Sequence, residues 1–431
     1  MPVTSPSPAA QDAFSVRDGV LHCEEVSLAR LAEHHGTPLY VYSRRALRDA
    51  YREFADAVPG DRVAIHYAAK ANANLAVLDV LAREGAGFDI VSGGELARVL
   101  AAGGQASRVV FSGVGKQVAE MQAALRAGVR CFNIESIAEM HRLDEVARGL
   151  GTRAPVSIRV NPDVDARTHP YISTGLRENK FGVAHDEALQ AYRTAKSLPG
   201  LDVIGLDCHI GSQITALGPY LEALDRLLEL LRALWADGVA ITHLDLGGGL
   251  GIRYRDEQPP ARPAFVRALD QRLRERLGGD ASRITMWFEF GRAIAGPAGI
   301  LLTRVEYLKP TTARRFAIVD AAMNDLLRPS LYDAHHGVLP VSARAGETHS
   351  WDLVGPICES GDWLARDRML ALEAGDLLAI TEAGAYGMAM SSNYNSRSRA
   401  AEIMVDGSDA WVVRERETLA HQMAGEHRLP G

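Results

Sequence analysis

Cysteine is scarce in this 431-residue chain: Cys23, Cys131, Cys208 and Cys358 are all there is. None forms a C-x-x-C pair, so the sequence offers no basis for a zinc site or a redox dithiol. Scattered through a long chain, the four read as free thiols of a reducing compartment, with Cys23 and Cys131 serving as small apolar side chains. No apolar run approaches the ~20 residues needed to cross a bilayer. The stretch from Met1 to Ala10 lacks the basic start and apolar core of a secretion signal, and the expected location is the cytoplasm. Neither charge sign dominates: 47 Lys and Arg face 54 Asp and Glu, for a formal net charge of -7. No basic patch argues for nucleic acid. Internal repeats are missing, and low complexity is confined to the first residues. His335-His336 lack metal-ligand spacing and read as near-surface loop residues, so no metal is expected. The run Arg253–Glu257 reads as a solvated loop.

What is present is a globular composition, 47% hydrophobic and 23% charged. From about residue 45 to 302, short apolar runs alternate with longer amphipathic ones. The strand candidates are Val63–Ala68, Phe88–Ser92, Val109–Ser112, Cys131–Ile134, Val156–Val160, Val203–Cys208, His243–Leu246 and Met286–Phe290. Strands alternating with helices predict a parallel sheet, and eight such units close a (β/α)8 TIM-type barrel; an open doubly wound sheet is the alternative. After about residue 303 the long helical patterns stop and short strands follow one another, which predicts a mostly β domain. The segment 1–44, with Pro38–Tyr42 as a strand, is expected to join that domain. The predicted organisation is therefore 1–44, a barrel over 45–302, and a β domain over 303–431.

Active sites of such barrels lie at the carboxyl ends of the strands. Gly247, Gly248 and Gly249 follow the seventh strand, and Glu289, Phe290, Gly291 and Arg292 lie at the eighth. Loops at these two places commonly grip phosphate. Consecutive glycines let backbone N–H groups approach an anion, and Arg292 adds a charge-assisted bond. Alone, the glycine run is as well explained by a tight turn. Lys70 ends the first strand, where desolvation would make its amine a nucleophile; alone it would be a lysine reaching solvent. An amine and a phosphate cup on one rim together suggest pyridoxal phosphate. Glu289 suits a partner for its ring nitrogen. His209 suits the ring face and Ser212 the phosphate, and Asp89 is a further candidate for the pocket.

These residues stand within motifs that run along nearly the whole chain. They include Gly36-Thr37-Pro38-Leu39-Tyr40-Val41-Tyr42, Tyr67-Ala68-Ala69-Lys70-Ala71-Asn72, Asn179-Lys180-Phe181-Gly182 and His209-Ile210-Gly211-Ser212-Gln213. Further on come Arg328-Pro329-Ser330-Leu331-Tyr332, Cys358-Glu359-Ser360 and Gly384-Ala385-Tyr386-Gly387. On these motifs the chain resembles the diaminopimelate decarboxylases, within the alanine-racemase-like, fold type III group of pyridoxal-phosphate enzymes.

The resemblance implies decarboxylation of meso-2,6-diaminopimelate to L-lysine and CO2. It implies that Lys70 joins the cofactor's aldehyde. Gly249, Gly291 and Arg292 would hold the phosphate, Glu289 would face the ring nitrogen, and Tyr386 would lie close to the cofactor. Arg292, Arg328 and Tyr332 would bind the substrate's far carboxylate, Glu359 its far ammonium, and Cys358 would give the proton that replaces CO2. It also implies a homodimer in which the Cys358-Glu359 loop reaches the neighbouring subunit's site. The alternatives are a decarboxylase of a related amino acid (ornithine-like, a carboxylated polyamine precursor or carrier-bound) and a non-catalytic protein that holds the cofactor. One departure stands out. The family usually has Glu-Pro-Gly-Arg after the eighth strand, where this chain has Phe290. Phenylalanine does not lock φ as proline does, so the loop is either less rigid or held by packing.

Overall fold

A computed structural model describes residues 13–164 and 180–430. Asn179 and the stretch from Met1 to Ala10 lie outside the described residues. The chain divides into two compact units. One holds the residues up to Leu47, Arg253–Asp256 and the chain from Ala295 onward; the other holds Arg48–Ile252 and Glu257–Ile294. The expected boundary at 303 falls inside a single strand, Gly299–Pro310, which belongs to the first of these units.

The second unit is the barrel. Its strands are Val63–Ala68, Gly87–Ile90, Val109–Phe111, Cys131–Ile134, Ala154–Asn161, Leu201–Asp207, His243–Asp245 and Thr285–Phe290. Each pairs in parallel with the next, and the last pairs back onto the first through Glu289↔His66 and Phe290↔Tyr67, which closes the cylinder. The barrel expectation holds and the open sheet is excluded. Strands buried on both faces read as apolar runs, which is why each was visible in the sequence. Between them lie amphipathic helices such as Gly218–Ala236, whose Leu224, Leu227, Leu228 and Leu231 are all buried.

Inside the barrel, side chains stack in layers. One layer holds His66, Trp287 and His243, each 2% exposed. The His243 ring lies flat on Trp287, centroids 3.6 Å apart and planes 9° from parallel. Glycines on neighbouring strands make the room. A Cβ at Gly87 would fall 2.3 Å from His66 Cδ2, and one at Gly205 would fall 2.0 Å from His243 Nε2. Burial pushes both imidazoles down to about 3, aided at His66 by the Arg130 charge and at His243 by His66 and Arg130. Between about pH 6.5 and pH 3 the folded chain thus binds fewer protons than the unfolded one. The stability contributed by the neutral rings is complete above that window and is lost as the pH falls through it. Each pH unit inside it should cost roughly 1.4 kcal/mol per histidine. Denaturant midpoints measured from about pH 6.5 downward should fall steeply, and less steeply in His243→Phe; identical slopes would show that the ring titrates normally.

Packing settles the conformation at Phe290. Its ring is 1% exposed and stacks on Phe54 at 4.0 Å and on Phe288 at 5.3 Å, with Phe265 edge-on at 5.9 Å. Four aromatic rings thus pack together where the expected motif has proline, and the segment is held by packing. Phe290→Ala should therefore lower unfolding free energy by about 3–5 kcal/mol, the range for emptying a packed aromatic site. Denaturant unfolding checks this, and a loss below about 1 kcal/mol would mean that the ring cluster is dispensable.

The other unit is built on one sheet whose order runs Trp363–Leu370, His349–Val354, Arg315–Val319, Gly299–Pro310, Leu39–Ser43, Ala401–Asp406, Asp409–Arg414. Leu377–Ile380 pairs with both Gly299–Pro310 and Val338–Pro340. Leu39–Ser43 runs antiparallel to Gly299–Pro310 and parallel to Ala401–Asp406. A small three-stranded sheet precedes it, over Phe14–Arg17, Val20–Cys23 and Val26–Ser27. The mostly β character expected of this part is observed.

Candidate active site

The carboxyl ends of the barrel strands carry a ring of polar side chains. Lys70 lies in the 3-10 turn Ala69–Ala71 that ends the first strand, and its Nζ donates to Asp89 Oδ2 at 2.9 Å. Asp89 is fully buried on the second strand, whereas the lysine side chain keeps 38% of its surface exposed. The amine is therefore anchored by a buried carboxylate yet still reachable.

Glycine is obligatory after the seventh strand. Gly247 and Gly249 have φ of +63° and +91°, a region that side chains disfavour. A Cβ at Gly248 would fall 2.1 Å from the Glu289 carbonyl oxygen, and one at Gly249 would fall 2.1 Å from that of Gly211. The turn is wedged between the segment after the sixth strand and the end of the eighth strand. The Gly248 N–H donates to His209 Nδ1 at 3.1 Å, which requires a neutral ring. Enclosure, with the Arg159 and Lys70 charges nearby, holds the His209 pKa well below its usual value. At the eighth strand a Cβ on Gly291 would meet that of Ala71 at 2.8 Å. Arg292, 5% exposed, donates from Nη2 to Ser212 Oγ at 2.8 Å.

Glu289 is buried, and its Oε1 accepts from Asn133 Nδ2 at 3.2 Å and Ser112 Oγ at 3.3 Å. Asn133 is held in turn by Ser157, whose Oγ donates to its Oδ1 at 2.5 Å. Burial raises the Glu289 pKa, and the charges of Asp245, Asp89 and Asp207 raise it further. Arg159, 7% exposed, donates to Glu135 at 2.9 Å and lies over the Phe181 ring at 4.7 Å. One end of the barrel thus brings together Lys70, Asp89, His209, Ser212, Gly248, Gly249, Glu289, Gly291 and Arg292. An aldehyde needs an amine, a phosphate needs an anion cradle, and a pyridine nitrogen needs a carboxyl; this donor set fits pyridoxal phosphate.

The other candidates lie in the β unit. Arg328 opens the helix Arg328–Tyr332 and is 6% exposed. Its guanidinium lies over Tyr254 at 5.3 Å and Tyr332 at 5.7 Å. Tyr254 is 7% exposed and meets the His336 ring edge-on at 5.1 Å. This corrects two expectations. The Arg253–Glu257 run is not simply a solvated loop, because Tyr254 packs inward against a cation. His336 is not near the surface: it is fully buried, with Nδ1 2.8 Å from the Thr381 carbonyl. Cys358 and Glu359 are exposed neighbours on one loop. The Cys358 N–H donates to Asn395 Oδ1 at 3.0 Å, and Glu359 accepts from the Tyr394 hydroxyl. Tyr386 is half-buried with φ of +58°.

Asn133, Glu135, Arg159, Asp207, Asp245 and Tyr254 escaped the sequence reading. Five of these had a usable signal, being polar residues at or just beyond the carboxyl ends of apolar strands. A buried polar group there must find a partner or do chemistry. Tyr254 had none, since its partner is distant in sequence.

A family described as pyridoxal-dependent decarboxylase, pyridoxal binding domain, matches residues 44–296. The chain is 60% identical over 419 residues to a diaminopimelate decarboxylase of Pseudomonas aeruginosa, spanning 97% of this chain and 100% of that protein. It is 56% identical to that of Vibrio cholerae, spanning 96% and 98% of the two chains. The crystal structure of the M. jannaschii diaminopimelate decarboxylase in co-complex with L-lysine matches with a TM-score of 0.92 at 35% identity, covering 98% and 99%. With likeness running from one end to the other, the chain belongs to the diaminopimelate decarboxylases, within the pyridoxal-dependent decarboxylase family.

Proposed function

We propose that this chain removes one carboxylate of meso-2,6-diaminopimelate to give L-lysine and CO2, as a cytoplasmic homodimer. The observation that carries the proposal is a reachable amine, Lys70, at the same barrel end as a glycine cradle and a buried carboxyl. Pyridoxal phosphate, when bound, supplies an aldehyde for an amine and a ring that accepts the electron pair left when the Cα–carboxylate bond breaks.

The chain's own residues do the rest. Lys70 provides the amine, and Asp89 orients it. Gly249, Gly291, Arg292 and Ser212 would hold the phosphate, with Gly248 setting the turn. His209, neutral and pinned by Gly248, would face the ring. Glu289, braced by Asn133 and Ser112, would partner the ring nitrogen. Tyr386 would be a further cofactor contact. Arg328, joined by Arg292 and Tyr332, binds the carboxylate at the far end of the substrate, and Glu359 binds its ammonium. Cys358 gives a proton to Cα where CO2 departs. The exposure of Cys358 and Glu359 on this chain supports a dimer in which each loop completes the neighbouring copy's site. Among the described residues no helix is long and apolar enough to cross a membrane.

The test is product identification. The chain, loaded with pyridoxal phosphate and given meso-diaminopimelate, should release CO2 and L-lysine in equal amounts. Turnover of ornithine with none of diaminopimelate would overturn the assignment.

A further inference from the structure

Asp207, Asp245 and Glu289, at the ends of the sixth, seventh and eighth strands, are buried, and one carboxyl oxygen of each lies within 4.8 Å of one from each of the others. The hydrogen bonds of Glu289 are described above. Asp245 Oδ1 accepts from the Gly247 N–H at 2.9 Å. Asp207 Oδ1 and Asp245 Oδ2 are buried without any hydrogen-bond partner.

The nearby cations offset these acids only in part: Arg159 favours the charged form of Asp207, and Lys70 those of Asp245 and Glu289, but each cation already has a carboxylate of its own. Lys70 is matched by Asp89 and Arg159 by Glu135, each pair at 2.9 Å. The remaining titratable neighbours, Cys131 and Cys208, are buried thiols whose pKa burial raises. Three further negative charges so close together and buried repel by several kcal/mol at an effective dielectric of about 20, and like charges in one site raise a carboxyl's pKa. A proton on one carboxyl removes a charge and gives an orphaned oxygen a donor at once. Burial pushes Asp245 up to about 7, Asp89 adding to this, and Asp207 well above its usual range, with Asp245 adding to that.

We infer that this trio stores a proton in the cofactor-free protein and yields it to the ring nitrogen as pyridoxal phosphate binds. The Glu289 O–H bond breaks, its electron pair staying on the carboxylate, and an N–H bond forms on the nitrogen's lone pair. The positive ring then replaces the proton as the group that offsets Glu289. Asp207 and Asp245 are positioning residues: they keep the proton on the cluster and need not touch the ring. The inference rests on the proposed pairing of Glu289 with the ring nitrogen.

The test counts protons. Pyridoxal phosphate is added to the full-length apoprotein in two buffers of different ionisation enthalpy, at a pH above the ring-nitrogen pKa of the free cofactor. The Asp207→Asn/Asp245→Asn double variant should draw about one more proton per site from the buffer than wild type, because its store is gone. Equal counts would overturn the inference. A purely structural role for the aspartates would change affinity and leave the count unmoved. If the double variant does not fold, Asp207→Asn alone should move the count in the same direction, and no movement would again be fatal. Ring-nitrogen NMR with 15N-labelled cofactor separates the underlying pairing: a Glu289→Gln holoenzyme whose nitrogen shift equals wild type removes the pairing itself, whatever the proton count.

Discussion

Lys70→Ala should lose decarboxylation by on the order of 10^4-fold or more, the scale on which loss of a covalent nucleophile registers in mutant kinetics. The structural reason is placement. Lys70 stands at the rim with its Nζ 2.9 Å from a fully buried aspartate. The measurement should not be activity alone. Borohydride reduction of the loaded wild-type chain followed by peptide mass analysis should add the cofactor's mass to the peptide containing Lys70. The variant should show no such adduct. Asp89→Asn offers a milder companion, since it leaves the amine but removes the charge that orients it. An adduct found at a different lysine would end the assignment.

Arg328→Ala should cost about 2–5 kcal/mol in kcat/KM for diaminopimelate, the range for removing one partner of a buried charge pair, or roughly 30-fold to several thousand-fold. The loss should be carried mainly by KM, since the contact forms at the end of the substrate remote from the bond that breaks. The guanidinium is 6% exposed and lies over both Tyr254 and Tyr332, so its direction is set before substrate arrives. For that reason Arg328→Lys should recover little: an ammonium neither spreads over two rings nor offers a bidentate fork. In the proposed role, Arg328 would also account for selectivity. Lysine attached through its α-amine brings no carboxylate to the far end, and a site built to pair a charge rejects ligands that lack it. Unchanged kcat/KM in Arg328→Ala would detach this residue from the substrate.

The barrel was legible because each strand is apolar and bounded by turn residues, and because the connecting helices carry an unbroken apolar stripe. The cofactor end was legible for a related reason. Glycines and charged residues at strand ends break the apolar pattern where chemistry is expected, and Lys70, Glu289 and Arg292 sit at such breaks. The β unit was harder. Gly299–Pro310 is continuous with the last barrel segment in sequence, and nothing in Ile300–Thr303 marks that its partner strands lie at Leu39–Ser43 and Leu377–Ile380. Trp363–Leu370 was missed because its alternation is broken by Arg366, Asp367 and Arg368. The buried polar ring of Asn133, Arg159, Asp207 and Asp245 was hidden for another reason: one polar residue in an apolar strand looks incidental until eight strands close and bring the exceptions together. Phe290 was read as a departure from a pattern, and only its stacking on Phe54 and Phe288 shows that packing holds it.

The pairing of Leu39–Ser43 with both Gly299–Pro310 and Ala401–Asp406 has a consequence during synthesis. A ribosome releases Leu39–Ser43 before the barrel segments and its two neighbours after them, Gly299–Pro310 first and Ala401–Asp406 second. Through most of that interval this buried strand has neither partner, and unpaired apolar edges invite association with other chains. The barrel segments emerge in between and need no late arrivals to close their ring. Nascent chains stalled before Ala401 should therefore be protease-resistant over the barrel segments and sensitive around Leu39–Ser43, with the latter protected only once both Gly299–Pro310 and Ala401–Asp406 have left the exit tunnel.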